Sequence, residues 1–315
     1  MYQHWVPASY LRAWCDPDSE YLQNPYVWRF SKDGSEVRAK SPQNLFRETD
    51  MYTFTDQDGR PDLAIEQGLS RLEDRFERLR RDKIMSCQPM GNDDKATFFL
   101  FVATARFRTR RSRGHWKRQL GKSVELGDRI AENIESLSSE EKAARGNLSL
   151  PPSGPTFSTE ELRALAEQPL QLMLPIVTES EAGFLSGMTT TILCTPGDAV
   201  FITSDAPVVW FDPELYKMPP FYRNLALGYE TIQVTMPIAP SRLALITHAK
   251  APESYIDIPA THTHLVDDYN RRTRFHCDDH FVSNSSEKKE IWFDPGTPPP
   301  SSFPGETGHE KGEEQ

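Results

Sequence analysis

Long apolar runs are missing from this 315-residue chain, in which 37% of the residues are hydrophobic. The longest run, Phe98–Ala105, is interrupted by Thr104 and ends at Arg106. It is far shorter than the roughly 18–20 apolar residues that span a bilayer. The N-terminus has no basic segment followed by an apolar one, which excludes the pattern of a secretory signal peptide. We therefore expect a cytoplasmic protein without a membrane partner.

Cysteine is also scarce. Cys15, Cys87, Cys194 and Cys277 lie far apart and form no C-x-x-C pair. This spacing argues against a disulfide framework and against a zinc knuckle. We expect four free thiols.

The short motifs of the common enzyme classes are absent. The sequence contains no GxxxxGK[ST] loop, no GxGxxG after a strand, no HExxH and no GxSxG. Their absence removes the usual NTPase, dinucleotide-binding, metalloprotease and α/β-hydrolase interpretations. Enzymes whose sites are assembled from distant segments are not excluded.

The formal net charge of −10 argues against a protein that coats nucleic acid through its overall field. The charge is nevertheless uneven, because residues 95–124 contain no acid. The basic residues of this stretch are Lys95, Arg106, Arg108, Arg110, Arg111, Arg113, Lys117, Arg118 and Lys122.

The order of patterns along the chain predicts an α+β fold. A β-hairpin is expected around Asp33-Gly34, because this pair supplies the residues that a tight turn requires. Apolar residues at helical spacing follow from Asp62, a plausible N-cap. β-Branched strands return after Gly183, at positions that include Met188–Cys194, Ala199–Thr203, Thr231–Pro237, Arg242–Thr247 and His280–Ser283. Segregated helices and strands indicate central helices packed on a largely antiparallel sheet.

We assign residues 1–285 to a single α+β domain, helical over about 62–178 and rich in strands over about 183–285. One helix is expected from Asn92 to Gly114, and another over about 122–145. A linker is expected at 146–157, and Ser158 with Glu161 forms a capping box that opens the next helix. Residues 286–315 are predicted to be a disordered Pro/Glu-rich tail.

The first candidate segment runs from Gln3 to Arg12. His4 is not explained by any periodicity, and histidine suits proton transfer near neutral pH. Arg12 follows on the same segment and could stabilise negative charge. The alternative is that His4 binds the backbone and fixes the N-terminus in place.

The second candidate is a basic face. Arg106, Arg110, Arg113 and Lys117 recur at helical spacing and would share one face of the helix expected at 92–114. Arginine is suited to bidentate contacts with phosphate. Arg106 follows the apolar half of this helix, so we expect it to be partly buried and paired. A solvated face, or one paired with acids, is the alternative.

The third candidate lies where a strand ends in Thr203, Ser204 and Asp205 before Pro207. Polar residues at a strand end can face a cleft, although an Asx or ST turn explains them equally well. A weaker cluster comprises His248, His262, His264, His276, Cys277, Asp278, Asp279 and His280. We assign no metal site there, since no complete ligand set is evident, although a divalent metal cofactor is left open.

These segments together resemble a known family. Gln3–Trp14 resembles its opening His-Tyr-Val-Pro-x-x-Tyr-Leu-Arg-x-Phe, Phe101–Arg110 resembles its helix that ends in Arg-Thr, and Phe201–Val208 resembles its Ile-Thr-Ser-Asp-x-Pro-Val. The family is the bacterial domain of unknown function numbered 4238. The resemblance covers about residues 1–285 and implies one domain. It implies no activity.

Two functional hypotheses follow. The first is a hydrolase or nuclease-like enzyme that acts on a nucleotide, nucleic acid or other phosphate-containing substrate. In it His4, Arg12, Arg106, Ser204 and Asp205 are catalytic. Its nucleic-acid-binding residues would be Arg110, Arg113 and Lys117. The second is a non-enzymatic binding or regulatory module in which the same polar residues form a buried structural network. The sequence does not indicate an oligomeric state.

Overall fold

Helices fill the middle of the chain and most strands lie towards its two ends. The computed structural model describes residues 2–19, 21–55, 60–138, 140–141, 159–219, 223–250 and 252–294. The helices are α1 (Ala8–Leu11), α2 (Ala64–Leu79), α3 (Asn92–Phe107), α4 (Arg110–Glu135), α5 (Thr159–Glu167), α6 (Pro169–Ser186) and α7 (His264–His276). A π-helical turn continues α2 over Arg80–Ile84.

The strands at the N-terminal end are β1 (Tyr2–His4), β2 (Val27–Ser31), β3 (Val37–Lys40), β4 (Arg47–Thr49), β5 (Phe54–Thr55) and β6 (Pro61–Asp62). Those at the C-terminal end are β7 (Thr189–Cys194), β8 (Thr203–Ser204), β9 (Val209–Phe211), β10 (Gln233–Ala239), β11 (Arg242–Thr247), β12 (Ser254–Asp257) and β13 (His280–Ser283).

Two sheets of the described part contain nine of these strands, and β1 with β4 and β5 with β6 form two further two-stranded sheets. The larger has the order β12-β7-β11-β10-β9, and the smaller has the order β3-β2-β13-β8. Every pairing is antiparallel except that of β12 with β7. The predicted α+β class with largely antiparallel sheets is therefore confirmed.

The main core joins α3 to both ends of the chain. Buried side chains of α3, such as Phe101, share one apolar cluster with Tyr10 near the N-terminus and Met236 of β10. The rings of Phe76 and Phe101 stack with their centroids 3.6 Å apart. Burial of such aromatic surface is the main stabilising contribution to a fold of this kind.

The hairpin at Asp33-Gly34 forms as predicted. Gly34 has φ +73°, and a Cβ at this position would lie 2.5 Å from the ring of Phe293. The turn therefore requires glycine both for its backbone conformation and for the approach of a distant aromatic ring.

The contact with Phe293 also extends the packed chain past the predicted domain boundary at residue 285. Trp292 is buried and donates its indole N–H to Asp267 at 3.0 Å, and Lys288 binds the carbonyl of Gly34 at 2.9 Å. Because 286–294 are mostly polar, the sequence did not predict that Trp292 and Lys288 bind the rest of the domain. The part of the tail predicted to be disordered from Pro295 lies outside the described residues, as do the predicted linker and Ser158 of the capping box.

The helix predicted over 92–114 is wrong in one respect, because α3 ends at Phe107 and a new helix begins at Arg110. The side chain of Thr109 accepts a hydrogen bond from the backbone N–H of Ser112 and so caps α4. An N-cap threonine stabilises a new helix start at that point. α4 then runs to Glu135 without the second start expected near Lys122.

The strand predicted over Ala199–Thr203 is reduced to Thr203–Ser204. A side chain, rather than a neighbouring strand, binds the backbone of the preceding residues.

All four cysteines are free. Among the described residues, no helix has both the length and the apolar character needed to cross a membrane.

Candidate functional site

The N-terminal segment is fixed to the body of the protein by hydrogen bonds. β1 pairs with β4, which places His4 opposite Arg47. The buried side chain of Gln3 accepts from the backbone N–H of Tyr52 at 2.6 Å and donates to the Thr53 hydroxyl at 2.9 Å. A buried amide satisfied on both ends is a structural anchor.

Tyr10 and Trp14 attach the next part of this segment to the chain around β8. The Tyr10 hydroxyl donates to the carbonyl of Pro237 and accepts from the Thr203 hydroxyl, both at 2.7 Å. The indole N–H of Trp14 donates to the carbonyl of Phe201 at 2.8 Å. Burial raises the pKa of Tyr10 well above its usual value, so its hydroxyl stays protonated.

Asn270 of α7 holds the same stretch from the other side. Its side-chain oxygen accepts from the backbone N–H of Ile202 at 2.9 Å, and its side-chain nitrogen donates to the carbonyl of Val200 at 2.8 Å. The side chain therefore takes the place that a neighbouring strand would occupy. This explains why the predicted strand is short.

Asp205 is the centre of the third predicted segment, and it is almost fully buried. Its Oδ1 accepts from the backbone N–H of Asp278 at 2.7 Å, and its Oδ2 accepts from those of Asp279 at 2.7 Å and His280 at 2.9 Å. Burial raises the pKa of this carboxyl to about 6, while these hydrogen bonds oppose the rise. Ser204, also buried, accepts from the N–H of Ala206 and makes the local turn.

His4 lies in a different environment from Asp205. Its Nε2 is 3.2 Å from the carbonyl oxygen of Gln43. Burial lowers the pKa of His4, and the charges of Glu73 and Arg108 act on it in opposite directions. No hydrogen bond between described residues joins His4 to Asp205, and their partners belong to different segments.

Arg108, like Arg80, is a buried cation that the sequence did not single out. Its Nε donates to the carbonyl of Trp5 at 2.8 Å and its Nη1 pairs with Glu73 at 2.8 Å. Only 1% of the side chain is exposed. The sequence signal for Arg108 was its position in the Arg-Thr pair that ends a helix, in which Thr109 is the cap of the next helix.

The remaining predicted catalytic arginines share no hydrogen bond or ion pair with His4 or Asp205 among the described residues. Arg106 pairs with Glu181 at 2.8 Å and stacks over the Trp210 ring, with 3.5 Å from its guanidinium carbon to the ring centroid. Its expected partial burial and pairing are thus observed. Arg12 is exposed.

The predicted nucleic-acid-binding residues are paired with acids. Arg113 makes a bidentate contact with Glu48, with both distances 2.9 Å, and Arg110 approaches the same carboxylate at 3.6 Å. Lys117 lies 3.8 Å from Glu167. Arg106 belongs to α3, whereas these three belong to α4, so the expected continuous face is divided by the helix break.

One group of side chains among the described residues could hold a metal ion. Ligand atoms of Asp205, Asp279 and His280 all lie within 4.8 Å of one another. A carboxylate oxygen has two lone pairs, so Oδ2 of Asp205 is saturated by its two N–H donors and Oδ1 keeps one lone pair. A divalent ion would therefore depend mainly on Asp279 and His280.

Several cavities lie elsewhere on the protein. Four of them, with volumes of about 430 to 1010 Å³, are lined by none of the predicted catalytic residues. The polar network around Asp205 is thus closed off from these four cavities.

Comparison with known proteins identifies one relationship. The family model described as "Protein of unknown function (DUF4238)" matches residues 2–288, which is nearly the whole chain. No curated protein and no solved structure matches the chain.

Proposed function

The chain belongs to the DUF4238 family, and because that description carries no activity, we propose from geometry that it is a non-enzymatic binding or regulatory module. The observation that supports this proposal is the environment of Asp205. Both of its carboxylate oxygens accept hydrogen bonds from the backbone of 278–280. In this role the carboxylate joins β8 to the chain that enters β13.

A catalytic carboxylate must reach the proton or atom on which it acts, directly or through one water. Asp205 is 3% exposed, and Tyr10, Trp14 and Asn270 hold the chain beside it. Satisfied buried networks of this kind give a core its unique arrangement. The polar motif at 203–205 is accordingly a structural element in this proposal.

The paired arginines support the same conclusion. Arg106, Arg110 and Arg113 each have a carboxylate as partner, so a phosphate would have to displace an existing contact. The charge of these three arginines is met in part within the fold, by Glu181 and by the Glu48 carboxylate that Arg110 and Arg113 share.

A second candidate is a metal-assisted hydrolase, and the cluster of Asp205, Asp279 and His280 favours it. A divalent ion there would polarise a phosphoryl oxygen or activate a water molecule. Arg111, which pairs with Asp278 at 2.6 Å, lies next to this cluster and would contact the phosphate by exchanging Asp278 for it.

A turnover assay separates the two candidates. The purified chain would be incubated with RNA, DNA, nucleotides and a phosphate monoester, with and without Mg²⁺, Mn²⁺ or Zn²⁺. We expect rates equal to those of the variant Asp279→Ala/His280→Ala under every condition. Metal-dependent turnover that this variant loses would overturn the binding module and establish the hydrolase.

A further inference from the structure

A groove between α2, α3 and α6 is a surface feature that the structural network does not use. It combines two cavities of about 550 and 520 Å³, and Leu72 and Leu100 line both of them. Each volume falls within the roughly 300–1,000 Å³ of typical ligand pockets. From Ile65 to Arg78 the groove follows α2 for about 20 Å, at 1.5 Å per helical residue.

One half of the groove is an apolar trough. Side chains that line it include Ile65, Leu69, Leu72, Leu100 and Leu174. The hydroxyl of Thr178 donates to the carbonyl of Leu174 on its own helix, so it offers no free donor to the trough. Glu179 is the one ionisable group among the lining residues. This half suits a hydrocarbon chain.

The other half carries charges of both signs. Its basic residues are Arg75, Arg78 and Lys83, and its acidic residues are Asp82, Asp93 and Asp94. Two of the acids already have partners. Asp82 is bound by Arg81 at 2.7 Å, and Asp94 accepts from the N–H of Gly91 at the start of α3.

The cations of this half are less engaged. Within the described parts of the chain, Arg75 and Arg78 form no hydrogen bond or ion pair, and Arg78 acts on Asp82 only as a more distant charge. The groove therefore has an apolar end and an end where Arg75 and Arg78 have no acidic partner among the described residues. That combination is complementary to a molecule with a long apolar chain and an anionic head.

We propose that this groove binds an anionic amphiphile of the fatty-acid class. The aliphatic chain lies in the trough between Leu69 and Leu174, and the carboxylate is bound by Arg75 and Arg78, since arginine favours bidentate contacts with carboxylates. The inference rests on the proposed binding function and supplies its ligand class.

Gly68 provides the sharpest test. It lines the trough in the interior of α2, and a Cβ at this position would meet no described atom within 4 Å. A large side chain there fills the groove without displacing the core. Gly121 of α4 has the same open surroundings and lies outside the groove, so it is a matched control.

The experiment is calorimetric titration of the full chain with decanoate, dodecanoate and tetradecanoate. We expect one site, with affinity that rises by up to about fourfold per added methylene. Gly68→Trp should weaken binding of dodecanoate at least tenfold, and Gly121→Trp should leave it unchanged. Arg75→Ala/Arg78→Ala should abolish the preference for dodecanoate over dodecanol.

Absence of binding, or equal binding by Gly68→Trp and wild type, would overturn the inference. So would a dimer, detected by sedimentation, that Gly68→Trp disrupts while no amphiphile binds, because the groove would then be a contact between two copies. These failures are distinct from that of the proposed function, which fails if the turnover assay is positive.

Discussion

At the scale of single residues, polar side chains of the sequence motifs bind main-chain atoms of distant segments. Tyr10 and Trp14 bind carbonyls more than 180 residues away, and Asp205 binds three consecutive N–H groups of 278–280. Because unpaired buried polar groups are costly, a structural role is sufficient to account for such residues. A motif of polar residues thus need not mark a catalytic centre.

His276 allows a test of residue-level electrostatics. Burial lowers its pKa from 6.5 to about 4, and the charges of Arg111, Lys32 and Arg272 lower it further. Because the unfolded chain takes up the proton first, the stability contributed by neutral His276 is present above pH 6.5 and is lost as the pH falls towards 4.

We therefore predict that the stability advantage of wild type over His276→Gln shrinks by about 2 kcal/mol between pH 7 and pH 5. Urea unfolding of both proteins at each pH measures this difference. The exposed His262→Gln is the control. An advantage over His276→Gln that does not change with pH would contradict the lowered pKa of His276.

At the scale of elements, the apolar periodicity predicted that α2 and α3 are helices, but it did not predict where α3 ends. The apolar spacing from Asp62 predicted α2, and the run from Phe98 predicted a central helix. The break after Phe107 depends on capping of α4 by Thr109. A threonine within a basic run does not by itself predict such a cap. Pairing of the basic face with acids was one of the alternatives, but the partners could not be predicted, because residues such as Glu48 come from a distant strand.

The α4 face leads to a binding prediction. Because Arg113 and Lys117 have acidic partners, we expect affinity for a DNA oligonucleotide no tighter than about 10⁻⁴ M at physiological salt, the weak end of non-specific binding. Fluorescence anisotropy should give the same result for Arg113→Ala and for the charge-matched control Arg71→Ala. Salt-dependent binding that only Arg113→Ala weakens would restore the nucleic-acid hypothesis.

At the scale of the whole molecule, the sequence predicted the α+β class and the family, but not which residues meet. The patterns of strands and helices are local, whereas the contacts of Asp205 and Arg108 join segments more than 30 residues apart. Packing of 286–294 was missed because Trp292 and Phe293 stand among polar residues. The assignment of 1–285 to one domain stays a prediction.

The polar network around Asp205 joins β8 to the chain that enters β13. The most direct measurement is the free energy of unfolding of Asp205→Asn at pH 7, compared with that of the exposed Asp279→Asn. We predict that Asp205→Asn lowers the free energy of unfolding by about 3 kcal/mol. The side-chain NH₂ of asparagine would face a backbone N–H, and two donors cannot form a hydrogen bond. Asp279→Asn should change stability by less than about 0.5 kcal/mol. An Asp205→Asn variant as stable as wild type would contradict the structural role of Asp205.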